Sequence, residues 1–286
     1  MNNVKLAVIG GSGVYDMEAL TDVEERRVST PFGDPSDAIV VGTLAGKRIA
    51  FLPRHGRGHR LTPAEVPYRA NIWALKSLGV ERIVSVSACG SMKERYRPRN
   101  VVIPDQIYDN TRGRTYSFFG DGLVAHLSFA EPFCPHLRGI LYDAVQAAGA
   151  TVHNGGTFIV IEGPRFSTRG ESRIYRSWGV DIIGMTAVPE AQLAREAEIC
   201  YATMAHVTDY DVWHDEEEPV TVHMLMDNLN ANAALSKRAI AALVPMLTGE
   251  RPCSCGSALS TAIITRRDLI PPQKVAELFP IVSRYF

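Results

Sequence analysis

The chain has 286 residues, with 30 basic against 31 acidic side chains, a formal net charge of -1, and 46% hydrophobic residues. So even a charge balance supplies no field to draw in nucleic acid or an acidic membrane surface, and a small molecule is the expected partner. The apolar content suits one large α/β domain over residues 1–286 better than two smaller ones. Met1-Asn2-Asn3-Val4-Lys5 runs straight into an apolar strand, and no uninterrupted apolar run reaches the roughly 18 residues of a membrane span. Neither a signal peptide nor a membrane segment is expected, and a cytoplasmic location is.

In chain order, residues 4–10 read as a buried strand ending at Gly10-Gly11-Ser12-Gly13. Residues 38–43 and 47–53 form a strand pair about the Ala45-Gly46 turn, followed by the polar loop Arg54-His55-Gly56-Arg57-Gly58-His59. Apolar residues at helical spacing (Val66, Ala70, Trp73, Ala74, Leu78) predict a helix over 64–78, closed by Gly79. Strands follow at 82–86 and 101–103, and then an irregular section runs to about 134. Helices over 137–148, 170–178 and 188–196 alternate with strands over 157–161, 180–184 and 200–207, before a long amphipathic helix over about 221–247. Residues 249–272 are a Pro/Ser/Thr-rich excursion ahead of a short terminal helix that is expected to pack on a neighbouring subunit. The alternation indicates a layered α/β fold with a parallel or mixed sheet, and such sheets hold ligands in the loops at their strand ends.

Five loops carry candidate chemistry. Gly10-Gly11-Ser12-Gly13 lacks the third glycine of a dinucleotide fingerprint, since Asp16 stands there, but glycines beside a serine hydroxyl suit a single phosphate. Arg54 can grip an oxyanion with two N–H groups, and His55 can donate another hydrogen bond. Ser87-Ala88 and Met185-Thr186 add small hydroxyl and backbone donors at two more strand ends. Thr208-Asp209-Tyr210-Asp211 offers two carboxylates. A protonated Asp209 can donate to N7 of adenine and an ionised Asp211 can accept from N6, which requires a carboxyl pKa raised by burial or by its neighbour. Taken singly, each loop is equally well read as a tight turn, a basic surface loop or a capping pair. The acidic run Asp215–Glu218 reads as a solvated loop.

The cysteines stand at 89, 134, 200, 253 and 255, and the first three are far apart in sequence among apolar or small residues, so buried reduced thiols are expected. Cys253-Ser254-Cys255 lies in a polar stretch without the further ligands that a zinc site would want nearby. A local redox role, or a disulfide between Cys134 and Cys200, is the alternative. No metal is expected.

These motifs, in order with Ala70-Asn71-Ile72-Trp73-Ala74-Leu75-Lys76, Ala130-Glu131-Pro132-Phe133-Cys134-Pro135, Glu162-Gly163-Pro164-Arg165-Phe166-Ser167 and Met185-Thr186-Ala187-Val188-Pro189-Glu190, resemble the methylthioadenosine phosphorylase branch of the trimeric purine nucleoside phosphorylases over about residues 4–245. The resemblance implies a single-domain nucleoside phosphorylase fold, with a central mixed β-sheet, partly barrel-like, flanked by α-helices. It implies a phosphate site of Ser12, Arg54, His55, Ser87, Ala88 through its backbone, and Thr186. Met185 would meet the ribose, Phe166 the sugar or base, and Asp209 and Asp211 the base, with Asp209 catalytic. His126 would reach across a trimer interface to the 5' side, His59 would lie near the 5' end, Ser167 would bear on purine choice, and Val222 and Leu225 would line the 5' pocket.

The implied reaction is phosphate-dependent, reversible cleavage of an adenine–sugar bond in a homotrimer or a dimer of trimers. Inorganic phosphate is a co-substrate, and no cofactor is needed. Sites selective for 6-oxopurines in this family carry asparagine where Asp209 stands, so a 6-aminopurine nucleoside is preferred. A broader phosphorylase acting on adenosine, inosine or methylthioinosine is the nearest alternative. A non-catalytic nucleoside-binding protein and a dinucleotide-dependent oxidoreductase are further off. Ser12 stands where close relatives carry threonine, and the tail after about 248 departs from the family pattern.

Overall fold

The computed structural model describes residues 4–11, 14, 17–214 and 222–286, except the side chains of 222–230. Its strands and helices run β1 (Leu6–Gly10), β2 (Thr21–Arg26), β3 (Ile39–Leu44), β4 (Lys47–Pro53), α1 (Tyr68–Ser77), β5 (Arg82–Ser91), β6 (Val101–Ile103), β7 (Gln106–Asn110), α2 (Pro135–Ala147), β8 (Val152–Asn154), β9 (Thr157–Ile161), α3 (Arg169–Ser177), β10 (Ile182–Gly184), α4 (Ala187–Glu196), β11 (Cys200–Asp209), α5 (Val222–Met246), α6 (Pro272–Glu277) and α7 (Phe279–Val282). The centre is parallel: β1 pairs with β4 and β5, and β11 pairs with β5. These strands are covered on both faces, which is why β1 reads as an unbroken apolar run.

The sheet order is β2-β3-β4-β1-β5-β10-β9-β7, and β11, β6 and β8 branch from β5. The sheet is mixed, as expected, but it is not closed. The partly barrel-like expectation is corrected by this branching, which sends the strands outward in separate rows. The central event is on β5 itself. Its first half, Arg82 to Ser85, pairs with β1, while Gly90 and Ser91 pair antiparallel with β10. Between them one edge of the strand is open, and Ala88 is exposed there in an otherwise buried strand.

Local sequence explains most boundaries. α1 begins at Tyr68 and not at 64, because Thr62 and Glu65 close a turn on each other and Pro67 offers no N–H. α3 starts on a capping box in which Thr168 and Glu171 exchange hydrogen bonds. β2 and β7 escape the sequence reading because they are edge strands that bury little and so show no apolar pattern.

The tail packs on its own chain: Leu259, Ala262, Ile270, Leu278, Ile281 and Val282 are buried in the main core, and Trp73 Nε1 donates to the Glu277 carbonyl at 3.0 Å. Ile264, Leu269, Phe279 and Phe286 of the same segment are exposed on the single chain. The dispersed cysteines are also brought together. Cys134, Cys200, Cys253 and Cys255 converge on one point, Cys89 lies elsewhere, and all five thiols are free.

Glu196, at the end of α4, is buried and accepts from the Ser117 hydroxyl at 2.6 Å and the Phe118 amide at 2.7 Å. Burial pushes its carboxyl up to about 7 in spite of those two hydrogen bonds. A folded-state pKa above the unfolded value favours folding below the unfolded value, and that advantage is lost as pH rises through about 7. We therefore expect E196Q to match the parent near pH 4 and to exceed it above pH 7 by roughly 1–3 kcal/mol in urea titrations. Equal pH dependence in both proteins would contradict this.

Candidate active site

The open edge of β5 places two groups of polar residues about 10 Å apart, given the rise of a strand over three residues. At the Ser87 end, the Ser87 and Thr186 hydroxyls bond at 2.8 Å, and Ser85 Oγ lies 3.4 Å from Ser87 Oγ. Thr186 precedes α4 without capping it, which leaves its hydroxyl for this contact. Arg54 follows β4, whose last pair, Gly10 with Pro53, brings the end of β1 alongside.

The Arg54 side chain is almost wholly buried, and its guanidinium donates to both Glu190 oxygens at 2.5 and 3.1 Å, to Ser85 Oγ at 2.7 Å and to the Val86 carbonyl at 3.1 Å. Burial opposes its charge, and Glu190 more than offsets that opposition, so the guanidinium is held protonated. In this structure the Nε–Nη2 fork is turned onto Glu190, which sets Arg54 as a fixed positive charge behind Ser85 and Ser87. Tyr201 also donates to Glu190, at 2.8 Å.

His55 is bonded within its own loop. Its Nδ1 lies 2.9 Å from the Leu61 carbonyl, which only accepts, so Nδ1 carries the proton. Burial, and then Arg54, push the ring down to about 4, so it is neutral at pH 7. Its donor is spent on Leu61, and Nε2 presents a lone pair. His59 stacks on His55 with ring centroids 4.3 Å apart, which sets it beside the Arg54–His55 loop.

At the other end, β11 delivers Asp209 opposite Gly90 of β5. A Cβ at Gly90 would stand 3.0 Å from both Asp209 Oδ1 and Ile183 Cγ2, so any side chain here would press on the carboxylate. Asp209 accepts from the Thr208 hydroxyl at 2.6 Å and from the Asp211 amide at 2.8 Å. Both bonds favour the ionised form, but burial outweighs them and raises its pKa. Burial raises Asp211 as well, against a hydrogen bond from Ser172. Asp211 Oδ2 and Ser167 Oγ are both buried and have no protein partner. Ser167 precedes α3, the helix that carries Ser172. Polar atoms left bare in a buried site are where a ligand supplies the missing hydrogen bonds.

Met185 follows β10 with its sulfur over Gly163, where an added Cβ would lie 2.5 Å from Sδ. Gly163 also has φ +68°, so the Glu162–Ser167 loop needs glycine at that point on both counts. Phe166 is 67% exposed, and His126 is exposed with its amide bonded to the Ala262 carbonyl at 2.9 Å. Ser12 lies outside the described residues, as does the acidic run at 215–218. Val222 and Leu225 fall in the first turns of α5, where side chains are not described.

The sequence reading missed Glu190, Ser85 and Tyr201, and also Arg114, which donates to Glu162 Oε1 at 3.2 Å and to the Glu162 carbonyl at 2.9 Å behind the Gly163 loop. A signal existed for Glu190, the apolar-flanked carboxylate of Met185-Thr186-Ala187-Val188-Pro189-Glu190, because a carboxylate in such a setting demands a buried cation.

Residues 5–245 match the Phosphorylase superfamily, and the chain belongs to that family. Within it, the chain is 54% identical over 287 residues to an S-methyl-5'-thioadenosine phosphorylase of Chloroflexus aurantiacus, covering 100% of both chains. It superposes with a TM-score of 0.94 on a methylthioadenosine phosphorylase from an antarctic soil metagenomic library, at 48% identity and covering 98% of this chain and 99% of that one. A methylthioadenosine phosphorylase from Schistosoma mansoni in complex with adenine gives a TM-score of 0.85 at 38% identity, covering 93% of this chain and 100% of that one.

Removing one partner of a buried ion pair leaves the other charge uncompensated. E190A is expected to destabilise the chain by about 3–5 kcal/mol in denaturant titration. A loss below about 1 kcal/mol, the range of an exposed pair, would mean that Arg54 does not depend on Glu190.

Proposed function

We infer that this chain catalyses the phosphate-dependent, reversible cleavage of the N-glycosidic bond of S-methyl-5'-thioadenosine, giving adenine and 5-methylthioribose 1-phosphate. It is a pentosyltransferase. The relatives bearing that name match it at 54% identity end to end, and the broader purine reading is not favoured. The observation that carries the mechanism is the pair of half-buried carboxyls at one end of the open edge of β5, facing a cluster of hydroxyls backed by Arg54 at the other.

Cleavage builds positive charge on the ribosyl carbon and negative charge on the departing adenine. Phosphate held by Ser87, Thr186 and the Ala88 backbone, with Ser12 from the β1 loop, supplies the counter-charge and then the nucleophilic oxygen. Arg54 lends that site fixed positive potential from behind Ser85, where a buried charge is poorly screened. Neutral His55 suits a monohydrogen phosphate, whose O–H donates to Nε2. Asp209, whose pKa is raised by burial, gives its proton to N7 as the bond to carbon breaks. Asp211 Oδ2 accepts from the N6 amino group. Ser167 borders the base, Met185 and Phe166 the sugar, and His59, Val222 and Leu225 the 5' side. No step in this scheme calls on a metal or an organic cofactor.

The same reading has the chain act in the cytoplasm as a homotrimer or a dimer of trimers, with His126 directed at a neighbour's 5' group. Its support is that His126 is exposed while its backbone is pinned to the tail through Ala262. Sedimentation should therefore give a trimer or a multiple of it. A monomer that retains full activity would remove this part.

The decisive assay is adenine release from methylthioadenosine with and without phosphate. D209N should lower kcat/KM roughly 10²–10⁴-fold while the fold is retained, and it should lose the alkaline limb that marks deprotonation of Asp209. D211N should narrow the preference for methylthioadenosine over methylthioinosine by roughly 5- to 150-fold. Adenine release that ignores phosphate, or a D209N enzyme of parental activity, would overturn the scheme.

A further inference from the structure

Far along β11 from Asp209, at the opposite end of that strand, four thiols converge. Cys134 is the N-cap of α2, Cys200 opens β11, and Cys253 and Cys255 come from the tail on either side of the start of a short turn of 3₁₀-helix at Ser254–Ser257. Their sulfurs all lie within 4.8 Å of one another, and Cys200 and Cys253 approach to 3.3 Å. Three of the four are buried and the fourth is half-buried.

A tetrahedral thiolate shell with metal–sulfur bonds of about 2.3 Å places its sulfurs about 3.8 Å apart. The spread observed here brackets that value. Disulfides would need the sulfurs drawn into two separate pairs, whereas here each lies close to the other three. Among the described residues no histidine or carboxylate joins the cluster, so the donor set is purely soft, which selects zinc-class ions over hard cations.

We propose that Cys134, Cys200, Cys253 and Cys255 form a closed tetrathiolate site for one soft divalent cation, zinc being the ion its chemistry fits best. Binding replaces four S–H bonds with four metal–sulfur bonds, and the displaced protons go to solvent. The resulting charge of two minus is moderated by Arg138, within electrostatic reach of Cys134, and by Arg195, within reach of Cys255. The Leu137 amide, 3.5 Å from Cys134 Sγ, adds a donor to one thiolate. All four positions of the tetrahedron are filled by protein, so the site is structural: it ties the tail to the first residue of β11 and to the start of α2. The ligands are separated in sequence by as many as 121 residues, which is why the Cys253-Ser254-Cys255 segment read alone showed no partners.

The test uses the full-length chain purified under a thiol reductant without chelator. Elemental analysis should give one zinc per chain. Exchange for cobalt should produce a thiolate-to-cobalt charge-transfer band and the intense visible bands of a tetrahedral site. C253S, which alters the one half-buried thiol, should lose the metal and the cobalt spectrum, whereas C89S should keep both. Stripping the metal should lower Tm by roughly 5–10 °C, and added zinc should restore it. Metal content near zero, with thiols that react equally fast with and without zinc, would overturn the proposal. So would an unreduced mass short of two or four hydrogens, which would mark the cluster as disulfide-bonded.

Discussion

The molecule is organised by the change of partner along β5. A central strand in a parallel sheet is normally saturated on both edges, and its residues face covered layers on both sides. Here β1 ends at Gly10 and β10 joins only at Gly90, so the stretch between them keeps one edge unpaired. Backbone groups in that gap have no strand partner on that edge, and Ala88 is exposed there, without the strand having to end. Ser87 and Ala88 owe their availability to this vacancy in the ladder, and Thr186 is delivered to it because β10 leads directly into α4. On the far edge β11 runs in register with β5 almost to its end, and its irregularity between Val207 and Asp209 turns the last carboxylate toward Gly90.

A gap of this kind exposes polar groups to a partly dry environment, and the fold meets that demand with charge held at a distance. Arg54 does not point its fork at the open edge. It sits below, locked to Glu190 and Ser85, so that its charge is preorganised and needs no rearrangement when an anion arrives. A more exposed arginine would reach the anion directly, yet its charge would be screened by water and its side chain would have to be ordered on binding. The same division applies to the carboxylates: Thr208 and the Asp211 amide fix the plane of Asp209, while burial raises its pKa.

Much of this was legible in the sequence because apolar runs and glycine-bounded loops are local. β1, β4 and β11, and the polar loops that follow them, were all visible, as was the grouping of Ser87, Thr186, Asp209 and Asp211. What stayed hidden was of two kinds. Edge strands such as β2 and β7 carry no apolar pattern, since they bury little. The hydrogen-bonding duty of a side chain is set by partners distant in sequence: nothing near Arg54 announces Glu190, 136 residues on, and nothing near His55 says that its donor is taken by Leu61. Residue type told which groups collect at the site, but the direction in which each faces depended on the completed core.

The tail illustrates the same point at larger scale. The match to the family model ends at residue 245, and read locally the tail is a polar excursion. In the folded chain it is fixed at several independent points: Arg251 donates to the Glu81 and Glu198 carbonyls, Leu259 donates its amide to the Glu198 carboxylate, and Ala262 accepts from His126. Two of these anchors bear on the turn between α4 and β11, so the tail braces the strand that ends in Asp209 from its opposite end. In the proposed mechanism the Asp209 carboxyl meets a ring nitrogen within a few tenths of an ångström, which needs a strand that does not slide. The four cysteines close that brace around Cys200, ten residues of continuous sheet from the loop that carries the chemistry, so the stability of the tail and the precision of the base site rest on one and the same strand.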